Sequence, residues 1–95
     1  MPAVHPGEIL RDEFLTPMGI SVYELANAIK VPRSRVNDIV LGRRAITTDT
    51  ALRLGRYFGN NPQFWIDLQS QHDIAMVERE HGKEIAKRVR PADAA

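Results

Sequence analysis

Ser21-Val-Tyr-Glu-Leu-Ala-Asn-Ala-Ile-Lys-Val-Pro-Arg-Ser-Arg-Val-Asn-Asp-Ile-Val-Leu41 is the stretch that decides the fold. Ser21 and Glu24 have the spacing of a capping box, in which each side chain satisfies a backbone N–H that the first turn of a helix leaves free. Val22, Leu25, Ala26 and Ile29 then recur at helical spacing and form a buried stripe. A further helix is expected from about Arg33 to Leu41, with Val36, Ile39 and Val40 inward. Gly42 is placed to end it in a left-handed conformation. Only Lys30, Val31 and Pro32 separate the two helices. A connection that short makes them cross steeply, which is the helix-turn-helix geometry. Ala26 is small enough to let the helices meet, and Val31 can plug the corner.

With the apolar positions inward, Arg33, Ser34, Arg35, Asn37 and Asp38 face outward. In a helix-turn-helix protein the N-terminal part of the second helix enters the major groove of DNA. Arg33 suits a bidentate pair with guanine and Asn37 one with adenine. Ser34 can donate or accept at a base. Asp38 can accept from cytosine, or can equally hold Arg35 or Arg43 in place. Arg35, Arg43 and Arg44 read as phosphate contacts, which position a protein without reading sequence. The helix start at Ser21 can add another phosphate contact. Residues 30–56 carry seven basic side chains against two acidic ones, although the whole chain has a formal net charge of only +1. Taken alone, that clustering reads equally well as a solvated basic face.

Working outward, the first helix is expected from about Pro6 to Leu15, with Pro17 ending it. Thr47 or Thr48 caps a fourth helix that Gly59 closes. Asn60-Asn-Pro62 starts a fifth, expected to reach about Glu80 and to break at Gly82, with residues 83–89 adding a last short turn or helix. Pro91 to Ala95 read as a disordered tail. No alternating run bounded by hairpin signals suggests a strand. The expected class is therefore all-α with five or six helices. One domain is expected over 1–95, with the helix-turn-helix at about 21–41 and a dimerisation or partner segment at about 61–90. Phe64, Trp65, Leu68 and Ile74 offer more apolar surface than one short bundle needs and are the candidate dimer contacts.

Composition narrows the function. Without a cysteine there is no disulfide, thiolate zinc site or cysteine nucleophile. No apolar run is long enough to span a membrane, and the N-terminus lacks the pattern of a signal peptide. The cytoplasm is the expected location. His5, His72 and His81 are scattered in sequence, so no metal is expected. No paired acids or nucleophile motif point to catalysis, so no enzyme and no cofactor is expected.

The run from Ala26 to Ile39, followed by Gly42-Arg-Arg-Ala-Ile-Thr47 and Ala51-Leu-Arg-Leu54, resembles the phage-repressor (Xre) class. More narrowly, His5-Pro-Gly-Glu-Ile-Leu10, the Gly42 to Thr47 run and Phe64-Trp-Ile-Asp-Leu-Gln69 resemble the HigA (VapI-like) antitoxins. The likeness covers roughly residues 5–75. It implies a lambda-repressor-like fold and a dimer on double-stranded operator DNA. It also implies a cognate RelE-like ribonuclease toxin to neutralise, and repression of the protein's own operon. The alternatives are a stand-alone Xre-family transcriptional regulator, or a protein-interaction module whose basic face is incidental. Two positions depart from the common pattern. Lys30 stands where glycine is usual and left-handed backbone is needed, at a cost of about 1 kcal/mol. Pro32 stands where a serine or threonine usually caps the reading helix.

Overall fold

The computed structural model describes residues 4–93, all helix and connecting turns. Helix α1 covers residues 6–18 in three continuous parts: Pro6–Ile9, a π-helical Leu10–Leu15, and Thr16–Met18. Helix α2 is Val22–Ile29, α3 Arg33–Val40, α4 Thr48–Phe58 and α5 Pro62–Arg88.

Two boundaries differ from expectation. Pro17 does not end α1. The wide turn before it makes the Thr16 N–H reach back to the Arg11 carbonyl, and this widening accommodates a residue with no N–H of its own. The helix stops instead at Gly19, in left-handed backbone with φ 65°. Gly82 does not break α5, which is a single helix of 27 residues, about 40 Å long. A mid-helix glycine costs only about 1 kcal/mol. Gly82 adopts ordinary helical backbone, and even a Cβ there would meet only the Glu78 side chain at van der Waals distance. Of the expected tail, residues 91–93 lie beyond α5 and are exposed, and 94 and 95 fall outside the described residues.

The other caps form as read. Thr47 accepts from the Thr50 N–H and Asn61 from the Gln63 N–H, with Pro62 following. Leu10, Leu15, Leu25, Ile29, Val36, Ile39, Ile46, Leu54 and Trp65 form one buried cluster. Four rings close it at the α4–α5 corner, where Phe14 lies 4.8 Å from Phe58 and 4.9 Å from Trp65, and Phe64 stands edge-on to Trp65. The Trp65 indole N–H donates to Asn60 Oδ1 at 3.1 Å. Gln69 is buried and uses both ends of its amide. Its Oε1 accepts the Ile46 N–H at 2.8 Å and its Nε2 donates to Asp73 at 2.9 Å.

Trp65 is 0% exposed, so it belongs to the core and offers a second chain no surface. Its neighbours differ. Leu68 is half-buried against the core, Phe64 is partly exposed and Ile74 is 60% exposed. Helical spacing alone could not separate a residue that closes its own bundle from one that closes a dimer.

Gly7 is where α1 comes against α3. A Cβ there would run into the carbonyl of Ile39. Beside it, His5 caps α1: its Nδ1 accepts the Gly7 N–H at 2.9 Å. Residues 5 and 72, far apart in sequence, meet here with ring centroids 4.9 Å apart. Burial, then the neighbouring His72, push the His5 pKa below its ordinary value, against smaller opposing effects from Asp73 and Glu8. A protonated Nδ1 cannot accept the capping bond. The neutral form therefore belongs to the fold, and His5 contributes stability above its unfolded pKa of about 6.5 that is lost as pH falls through the lowered folded value. Thermal unfolding followed between pH 7.5 and 5 is expected to show this loss. His5→Asn keeps a capping acceptor without a titrating ring and should flatten the slope. An unchanged slope in that variant would assign the dependence elsewhere.

Candidate nucleic-acid interface

The corner between α2 and α3 depends on one strained residue. Lys30 has φ 62°, and it is the only non-glycine with positive φ among the described residues. Its backbone turn lets the Val31 N–H return to the Ala26 carbonyl at 3.1 Å. Ala26 is buried and Val31 is half-buried against the core, as the short connection requires. At the entrance to α2 both halves of the capping box form: Glu24 N–H to Ser21 Oγ at 3.0 Å, and Ser21 N–H to Glu24 Oε1 at 3.2 Å. Because the Ser21 hydroxyl accepts in that pair, its own proton stays free to donate outward.

Pro32 opens α3 with extended backbone and no side-chain cap, and its carbonyl accepts the Arg35 N–H at 3.0 Å. At the other end Gly42 adopts φ 76°. The Gly42 N–H returns to the Ile39 carbonyl and the Arg43 N–H to that of Asp38, which is the Schellman pattern. This stop aims the loop carrying Arg43 and Arg44 out of the helix, and both side chains are exposed.

Val36, Ile39 and Val40 hold α3 on the core. Arg33, Ser34 and Asn37 are exposed, whereas Asp38 is half-buried. Arg33 and Asn37 lie one turn apart, as do Ser34 and Asp38, so the four wrap the outer side of the helix. Asp38 enters no ion pair among the described residues. The acid that does is Asp49, on α4. It accepts from Arg53 Nε at 2.9 Å and lies 3.6 Å from Arg35 Nη1.

Arg53 has a role that its place in the sequence does not reveal. Its Nη1 donates to the Ile29 carbonyl at 2.8 Å and to the Lys30 carbonyl at 3.3 Å. It therefore satisfies the open end of α2 and ties the corner to α4. The only sequence sign of this is the i,i+4 pair Asp49–Arg53, which says nothing about α2. Of the seven basic residues in the middle third, Arg35 and Arg53 thus face Asp49, while Lys30, Arg33, Arg43, Arg44 and Arg56 are exposed. The Arg35 pair is itself partly exposed, and such pairs are worth about 0–1 kcal/mol, weak enough for a phosphate to compete.

Among the described residues, no three or more metal-ligating side chains converge, and no helix is long and apolar enough to cross a membrane. What the surface presents is a braced helix with polar, hydrogen-bonding side chains on its free face, flanked by arginines.

Comparison with known proteins agrees. The Helix-turn-helix family model matches residues 10–65. Virulence-associated protein I of Dichelobacter nodosus is 55% identical over 80 residues, covering 84% of this chain and 74% of that protein. Antitoxin HigA-1 of Vibrio cholerae is 38% identical over 88 residues, covering 93% of this chain and 82% of its own length. The Pseudomonas aeruginosa antitoxin HigA, solved with the higBA promoter, superposes with a TM-score of 0.92 at 49% identity, covering 95% of this chain and 98% of that one. The chain therefore belongs to the helix-turn-helix family, in its HigA group of DNA-binding antitoxins, which are transcription regulators and not enzymes.

Proposed function

We propose that this chain is the antitoxin of a type II toxin–antitoxin module in the cytoplasm: a homodimer that occupies its own operator through α3 and neutralises a RelE-like ribonuclease toxin. The observation that carries the DNA part is the exposure of Arg33, Ser34 and Asn37 on a helix whose opposite side is fixed in the core. Arg33, Ser34, Asn37 and Asp38 read base edges in this proposal, and Ser21, Arg35, Arg43 and Arg44 hold phosphates. The likeness to a HigA antitoxin bound to a promoter supports it.

Dimerisation is supported by the outer part of α5, where Ile74, Val77 and Ile85 are exposed and follow one side of the helix. With Phe64 and Leu68, these are the proposed contacts. A two-fold pair would place two α3 helices in successive major grooves about 34 Å apart. Sedimentation of the wild type should report a dimer, and Ile85→Glu should shift it toward monomer and weaken operator binding. A dimer undisturbed by that charge would move the interface off this stripe.

The deciding experiment is a gel-shift titration with the DNA upstream of the chain's own gene, at graded salt. A shift that weakens steeply with salt is expected. No shift at low salt would overturn the DNA reading. Co-purification with the product of the neighbouring gene tests the toxin, and its failure would favour a stand-alone regulator.

A further inference from the structure

Helix α2 brings one aromatic side chain to α3 that the contacts above do not use. Tyr23 is the second residue of α2, two positions after the Ser21 cap, and it is 58% exposed. A tyrosine so exposed contributes little to the core. Its ring faces the Arg33 guanidinium, whose central carbon lies 5.9 Å from the ring centroid. That distance is within the reach of a cation–π interaction. No hydrogen bond or ion pair of the Arg33 guanidinium occurs among the described residues, so the ring is the polar head's one directed contact.

We propose that Tyr23 is a positioning residue. It holds the Arg33 guanidinium beside the first turn of α3, in the orientation from which Arg33 reads a base pair. This rests on the assignment of Arg33 to a base edge. The physical case is one of rotamers. Arg33 is the first residue of α3, where no preceding helical turn restricts its side chain. An arginine with four free torsions loses that freedom when it docks bidentately on a base. A guanidinium held over a ring face by a cation–π attraction makes no hydrogen bond there, so its N–H donors stay free. Much of the ordering is then done before DNA arrives, and the benefit falls on the base pair that Arg33 reads. The helix-turn-helix corner makes this possible, because it folds α3 back beside α2, and the two long side chains span the remaining distance.

The test measures binding of the full-length protein to its upstream DNA site and to the same duplex with each base pair substituted in turn. Tyr23→Leu is expected to lose about two- to five-fold in discrimination at the Arg33 base pair, the range of an exposed cation–π contact. Discrimination elsewhere, non-specific binding and the melting temperature should stay as in wild type. Tyr23→Phe keeps the ring and should keep the discrimination. In an Arg33→Ala background, Tyr23→Leu should add nothing. If Tyr23→Leu discriminates like wild type while Arg33→Ala does not, the positioning role is wrong and the base reading stands. If Arg33→Ala leaves every preference intact, both fall together. If Tyr23→Phe weakens all duplexes alike, Tyr23 is a phosphate contact through its phenol and the positioning role is overturned.

Discussion

Replacing Gly7 by alanine should cost about 3 kcal/mol of stability, the upper end of the overpacking range, and should loosen the recognition helix with it. The position looks innocuous in sequence, where glycine one residue into a helix is unremarkable. In the fold, a Cβ at Gly7 would collide with the backbone carbonyl of Ile39, near the end of α3. A colliding side chain can rotate away, but a backbone atom cannot, so α1 and α3 must separate. Separation would uncover Leu10 and Ile39, both about 1% exposed, and would pull His5 away from the Gly42 turn that it borders. A domain of this size holds only about 5–15 kcal/mol in all. Urea unfolding of the two proteins measures the difference. A Gly7→Ala protein within about 0.5 kcal/mol of wild type would mean that α1 docks loosely and does not brace α3.

Arg33→Ala should weaken binding to the operator by about 1–3 kcal/mol and flatten the preference at one base pair, because a bidentate arginine–guanine contact carries discrimination of that size. Arg43→Ala should behave differently. Arg43 closes the Schellman turn through its backbone N–H, and its side chain is exposed beyond the end of α3. As a phosphate contact it contributes to every duplex alike. Its loss should weaken specific and non-specific binding together and reduce the slope of log affinity against log salt by about one. Titrations of both variants against operator and scrambled duplex, across a salt series, separate the two roles. Identical behaviour of the two variants would remove the base-reading assignment of Arg33. The structure gives a reason to expect a difference: Arg33 opens the exposed side of α3, with a ring centroid 5.9 Å from its guanidinium carbon, whereas Arg43 lies in the loop beyond that helix.

The sequence by itself determined the order of the helices and the corner at Lys30. It also determined which side of α3 stays free. These follow from local rules: caps at Ser21, Thr47 and Asn61, stops at Gly42 and Gly59, and apolar residues at helical spacing. Each is decided within a turn or two of chain, so a linear reading captures it. Tertiary structure alone decided the rest. It enclosed Trp65 in its own bundle, against Phe14. It met His5 with His72, aimed Arg53 at the end of α2 and brought the Arg33 guanidinium over the Tyr23 ring. Those outcomes depend on partners 10 to 67 residues away along the chain, brought together only when the helices pack. Periodicity gives each helix a buried side but does not say which neighbour will cover it.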